Sequence, residues 1–153
     1  MIVAIDPGVH ACGVAVFRDA VLERAEYIDI LHQGGPVALA RAVAAWTGGA
    51  TAIGRVVVEK PQVYVRRLSK GDPNDLIDLA VVVGALLATV QGVGETVLPQ
   101  RWKGSVPKDI MNARILGRLS DAEKQRIVYP KRKTLGHNVV DSVGIGLWAL
   151  KRL

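Results

Sequence analysis

Three acidic residues stand where a chain this apolar should avoid charge. Asp6 follows the run Ile2 to Ile5, Glu59 follows Val56 to Val58, and Asp141 lies within the last helical stretch, His137 to Leu153. Unpaired charge at strand ends is costly, and clustered carboxylates are what divalent cations, and the phosphates they bridge, require. His137 lies four residues before Asp141 and Asn138 three before it, so a helix carries both on Asp141's side. Lys103 and Lys108 fall in the segment Pro99 to Lys108. The chemistry this set suggests is metal-assisted attack on a phosphodiester.

The charge distribution points the same way. Residues 1 to 59 carry four Lys/Arg against six Asp/Glu, whereas residues 99 to 133 carry ten against three, within a formal net charge of +6. A charge run is ordinarily a solvated face, but beside a carboxylate cluster it is the footprint of a nucleic-acid partner. Candidate DNA contacts are Arg101, Lys131, Arg132 and Lys133, together with the basic loop Pro61 to Gly71, which holds Arg66, Arg67 and Lys70. Tyr64 in that loop is a candidate to stack on an exposed base; packing against its own domain is the alternative.

Other classes are disfavoured. The longest apolar candidate, Leu76 to Val93, carries Asp78 and two glycines, so it reads as a buried helix rather than a membrane span. A single cysteine, Cys12, excludes an internal disulfide and a cysteine zinc cluster. Nothing resembles an export leader. The expectation is a cytoplasmic protein of a bacterial cell or phage-infected host, without a membrane partner.

The elements that must position these residues follow from periodicity. At 153 residues the chain fits one domain, 1 to 153, with one core. Ile2 to Ile5, Gly13 to Phe17 and Val21 to Ile30 read as an antiparallel meander, with Arg18 to Ala20 as a turn. Val37 to Trp46 reads as a helix, and Arg55 to Glu59 as a strand parallel to the first, which would bring Asp6 and Glu59 to one sheet end. Asp72-Pro73-x-Asp75 has the form of a helix start; the helix beyond it, to about Val90, is apolar nearly all round and should be deeply packed. Thr96 to Leu98 is a short strand, and Ser105 to Leu119 reads as helical. Ser120 with Glu123 forms a capping-box start. The last helix has its apolar stripe at Val140, Val143, Leu147 and Leu150, with Asp141 at its edge, and Gly144 and Gly146 predict close approach to the sheet. Phe17 and the three tryptophans read as core.

Five segments together resemble the RuvC-type Holliday junction resolvases of the ribonuclease-H-like superfamily. Asp6-Pro7-Gly8 followed by Gly13 to Val16 is similar to their first strand and hairpin. Val56 to Glu59 resembles their second acidic strand, and Gln62-Val63-Tyr64 the aromatic-bearing loop after it. Trp102-Lys103 with Gly104-Ser105-x-x-Lys108 resembles their paired lysine segment, and Asn138 to Ser142 their terminal acidic helix. The resemblance implies an α/β fold, a ribonuclease-H-like mixed five-stranded sheet flanked by helices. It also implies a homodimer that cuts branched DNA, four-way junctions above all, with two Mg2+ ions per site and Mn2+ as a substitute. Asp6 would bridge the ions, with Glu59 and Asp141 on either side and the phosphate completing the coordination.

At the fourth acidic position this sequence departs from the family pattern. The family usually has Asp or His three residues before the last Asp, where this chain has Asn138, which offers only a neutral oxygen as a fourth ligand. His137 is favoured to orient the water or act as base, the alternative being an N-cap asparagine beside a surface histidine. Lys103 and Lys108 would stabilise charge on the scissile phosphate, or simply contact the backbone. Competing readings are a nuclease for flaps, forks or RNA, a nuclease-dead DNA-binding module of this fold, and the phosphate-binding half of an actin-like or sugar-kinase ATPase. The last needs a second such domain; without that, or a Walker A pattern, no nucleotide cofactor is expected.

Overall fold

The computed structural model describes residues 1–31, 33–48, 53–62 and 73–153. Strands β1 (Ile2–Pro7), β2 (Ala11–Arg18) and β3 (Val21–Asp29) form the antiparallel meander. Asp19 and Ala20, both with positive φ, make its second turn, the conformation a two-residue hairpin needs to match strand twist. Helix α1 (Gly35–Trp46) crosses to β4 (Arg55–Glu59), which pairs parallel to β1. Helix α2 (Pro73–Thr89) leads to β5 (Val93–Val97), parallel to β4. A short α3 (Pro99–Trp102) and a turn with Gly104 at positive φ come next; the helix predicted over Ser105 to Leu119 is α4 (Lys108–Gly117), starting later because Pro107 stands at its N-cap. Then come α5 (Asp121–Lys124), β6 (Ile127–Val128), a 3-10 turn at Lys133–Leu135, and α6 (Gly136–Ala149).

The sheet has six strands in the order β5-β4-β1-β2-β3-β6, one more than expected. The addition is β6, which pairs parallel to β3 through Ala25 with Ile127 and Glu26 with Val128. Two residues are too short for an alternation pattern to reveal.

Each face of the sheet carries its own core. Ile2, Ala4, Ala15, Phe17 and Val57 face α6, α3 and α4, while Val3, Ile5, Val14, Val16, Val56 and Val58 face α1 and α2. Helix α6 is buried well beyond the predicted stripe, with Ser142, Gly144, Ile145 and Gly146 also inside. Gly146 lies against the Phe17 ring, as close approach to the sheet requires; Gly144 lies against Ile115 and Trp102, side chains of α4 and α3 rather than of the sheet.

Helix α2 departs from expectation. Only one face packs, through Val82, Val83 and Leu86, with Val90 just beyond its end, while Ile77 and Val81 are 62% and 53% exposed. An all-round apolar helix therefore leaves a stripe of Ile77, Val81, Gly84 and Ala88 at the surface. No described helix is long and apolar enough to cross a membrane.

Candidate active site

Period-two alternation decides which face the acidic residues take. Asp6 continues the parity of Ile2 and Ala4, and Glu59 that of Val57, so both carboxylates point to the α6 side of the sheet. The parallel register, with Ile5 opposite Val58, sets Asp6 beside Glu59 at the carboxyl ends of adjacent strands. Across β1, β2 and β3 the register then aligns Asp6 with Gly13 and Gly13 with Tyr27. Gly13 is where α6 seats: a Cβ there would collide with the backbone carbonyl of Asn138. A missing side chain on β2 thus lets the start of α6 descend onto the row that carries Asp6, bringing Asp141 down with it.

The result is a cleft of about 480 Å3. Asp6, Glu59, Lys103, Lys108, His137, Asn138 and Asp141 all line it, so it gathers every residue singled out for chemistry. Lys103 Nζ lies 3.3 Å from Glu59 and 3.7 Å from Asp141, between the two carboxylates. Glu59 also accepts a 2.6 Å hydrogen bond from the Trp102 indole. The Asn138 side chain is hydrogen-bonded to the Tyr27 phenol.

The electrostatics are those of crowded, poorly solvated anions. Burial, then Glu59 and Asp141, push the Asp6 carboxyl well above the ordinary range, with Lys103 and Lys108 opposing. Burial also raises Glu59 against the pull of Lys103 and Trp102. For Lys103 burial works against the charge, but Glu59, Asp141 and Asp6 outweigh it and hold the ammonium above its usual value. Burial drives the nearby Cys12 thiol up to about 12, which makes it inert.

Among the described residues no three His, Cys, Asp or Glu side chains converge closely enough to enclose one ion. The donor chemistry nevertheless fits a hard cation of the magnesium type, which takes one or two carboxylates and completes its shell with water and phosphate. The Lys103 ammonium already bridges two of the carboxylates as a cation would.

Of the remaining candidates, Arg101, Lys131, Arg132 and Lys133 are exposed outside the carboxylate cluster. Tyr64, Arg66, Arg67 and Lys70 lie outside the described residues, as does Asp72. Trp102 was expected only as core; it is buried and also grips Glu59. Its position next to Lys103 was the available signal. Tyr27 had none, since only the strand register brings it to Asn138. Trp46 and Trp148 are half-buried, and Trp46 is tied to its own domain through Glu26 and Arg24.

Sheet order and helix placement are those of a ribonuclease-H-like α/β fold, and the acidic cleft lies at the carboxyl edge of its central strands. Among solved structures the chain is similar to Thermus thermophilus RuvC in complex with a Holliday junction substrate, at 19% identity and a TM-score of 0.65, covering 95% of this chain and 89% of that one. It is likewise similar to the Thermus thermophilus RuvC structure at 18% identity and a TM-score of 0.61, covering 95% and 90%. No protein-family model and no curated protein matches the chain.

Proposed function

We propose that this protein is an endodeoxyribonuclease that cuts four-way DNA junctions by metal-dependent phosphodiester hydrolysis. The observation that carries this reading is the meeting of Asp6, Glu59 and Asp141, from β1, β4 and α6, in one cleft with Lys103 and Lys108. The fold is one whose solved member holds a Holliday junction.

Two magnesium ions, or manganese in their place, would supply an activated water and stabilise the leaving 3' oxygen. Asp6, central to the three carboxylates, would be among the residues that hold the ions. Glu59 and Asp141 would hold them with Asp6, and Asn138 would offer a neutral oxygen. The Trp102 hydrogen bond occupies one oxygen of Glu59 and fixes where the other points. His137 orients the water or receives its proton. Lys103 exchanges its carboxylate partners for the scissile phosphate, and Lys108 approaches that phosphate from the same wall.

Tyr64, Arg66, Arg67, Lys70, Arg101, Lys131, Arg132 and Lys133 supply the contacts to DNA beyond the scissile phosphate. Symmetric cutting requires two sites related by a two-fold axis, hence a homodimer. The uncovered stripe Ile77, Val81, Gly84 and Ala88 on α2 is our candidate for its interface: its spacings of four, three and four residues form one apolar helical face.

A substrate panel tests the choice among nucleic acids. Labelled four-way junction, flap, fork and linear duplex are incubated with protein and Mg2+, and nicks are mapped on every strand. The junction should be cut fastest, with paired nicks in opposing strands. Equal cutting of flap and junction would retain the nuclease and discard the junction selectivity.

A further inference from the structure

Beside the acidic cleft lies a second cavity of about 400 Å3, bounded by α4, the start of α6 and the segment that precedes it. His137 lines both spaces, so a strand whose phosphate sits in the first lies against the mouth of the second. The walls are unlike those of the acidic cleft: Leu116, Pro130 and Val140 make them largely apolar.

Two features point to a flat, nitrogen-bearing guest. Tyr129 is 51% exposed although its ring borders an apolar cavity. The ring edge rests against Gly136, where a Cβ would stand 3.4 Å away, so the helix start supports the ring while much of it stays uncovered. Asn112, on the same wall, has a buried carboxamide oxygen with no hydrogen-bond partner among the described residues. An unmatched buried acceptor is costly, and a change of the Asn112 rotamer would present its carboxamide edge to a guest in the cavity. Lys133 also lines the cavity, and the adjacent Lys131 and Arg132 are exposed, so cations stand where a sugar-phosphate backbone would run.

We infer that this cavity takes an unstacked nucleobase of the cut strand, next to the scissile phosphate. The base lies on Tyr129, and Asn112 reads its amino edge, giving the enzyme a sequence preference. A carboxamide pairs best with adenine, accepting from the exocyclic amine while donating to a ring nitrogen, so adenine is the base committed to. The apolar walls exclude water from that pair, and aromatic stacking holds the base out of the duplex. This inference rests on the nuclease reading above, but its test has a readout that does not need cleavage.

The probe is the fluorescent adenine analogue 8-vinyladenine, which keeps the exocyclic amine, placed in turn at each nucleotide flanking the crossover of a four-way junction and bound to Asp6→Asn protein. Quenching at one position is expected, retained in a Tyr129→Phe background and lost in Tyr129→Leu. With otherwise wild-type protein, cutting should favour adenine at that position by about tenfold, and Asn112→Ala should reduce the preference to about twofold while junctions are still cut. A junction that is bound and cut with the same base preference in Asn112→Ala and Tyr129→Leu overturns the pocket and leaves the nuclease standing. Quenching that depends on Tyr129, alongside a parent protein that cuts nothing in any divalent metal, overturns the nuclease and leaves the pocket. No quenching at any position overturns the pocket whether or not the DNA is cut.

Discussion

At the scale of single residues, the cleft is an arrangement of mutual frustration. Three anions share a poorly solvated space with one intimately placed cation, and the sign of the resulting pH effect follows from Asp6. Its pKa is raised in the folded protein, so its contribution to stability is present below the unfolded value of 3.8 and is lost as pH rises through the folded value. At neutral pH without divalent metal the ionised cluster therefore opposes folding. Asp6→Asn should melt at higher temperature than the parent in EDTA, with the gap closing as pH is lowered towards 4. Metal binding should likewise weaken as pH falls and Asp6 retains its proton, which calorimetric Mn2+ titrations at two pH values would detect. Trp102 yields a subtler prediction. Trp102→Phe keeps an aromatic ring against Gly144 but removes the hydrogen bond to Glu59. It should lower metal affinity or turnover by about 10- to 100-fold while leaving the melting temperature near that of the parent. A variant with parental metal dependence would reduce Trp102 to packing.

At the scale of elements, two contacts between distant parts of the chain determine whether the cleft assembles. The first is the seat of α6 on Gly13. Gly13→Ala drives a methyl group into the Asn138 backbone, which cannot yield without lifting the helix; about 3 kcal/mol of stability should be lost, together with most activity. The second is Glu123, predicted as a capping-box residue and found to do more. It accepts hydrogen bonds from Ser120 and from the Leu22 amide at 2.9 Å and pairs with Arg152 at 3.0 Å, tying α5 and the end of the chain to the start of β3. Burial works against its charge, but Arg152 and these hydrogen bonds pull its pKa from 4.5 to about 2. The stabilisation, about 3 kcal/mol, is present above pH 4.5 and lost as pH falls towards 2. Glu123→Gln should show that loss already at neutral pH in urea unfolding.

What could be read in the sequence divides along the same lines. Asp6, Glu59 and Asp141 were legible because a charge breaking an apolar run is a local signal, and parallel pairing of the strands that carry Asp6 and Glu59 followed from the helix between them. The capping box at Ser120 was local too. Strand β6, the Gly13 seat and the partnership of Tyr27 with Asn138 were not legible, because each depends on register between segments far apart in the chain. The bare face of α2 was misread for a related reason: an apolar helix looks the same in sequence whether its second face meets its own core or another chain.

At the scale of the whole molecule, that bare face has a consequence. Placing charge on it, as in Val81→Glu, should convert the proposed dimer to a monomer in sedimentation velocity while leaving monomer stability little changed, since Val81 is 53% exposed and belongs to neither core. A parental sedimentation coefficient would move the interface elsewhere. We assign one nuclease centre to three carboxylates from three elements. Its most direct test is incision of a labelled four-way junction in Mg2+ by the parent and by Asp6→Asn, Glu59→Gln and Asp141→Asn, with junction binding measured in parallel. The parent should make paired nicks, each variant should lose at least about 100-fold, and binding should be retained throughout. Parental rates of cutting by any of the three, or a parent that binds the junction and cuts it with no divalent metal, would contradict that assignment.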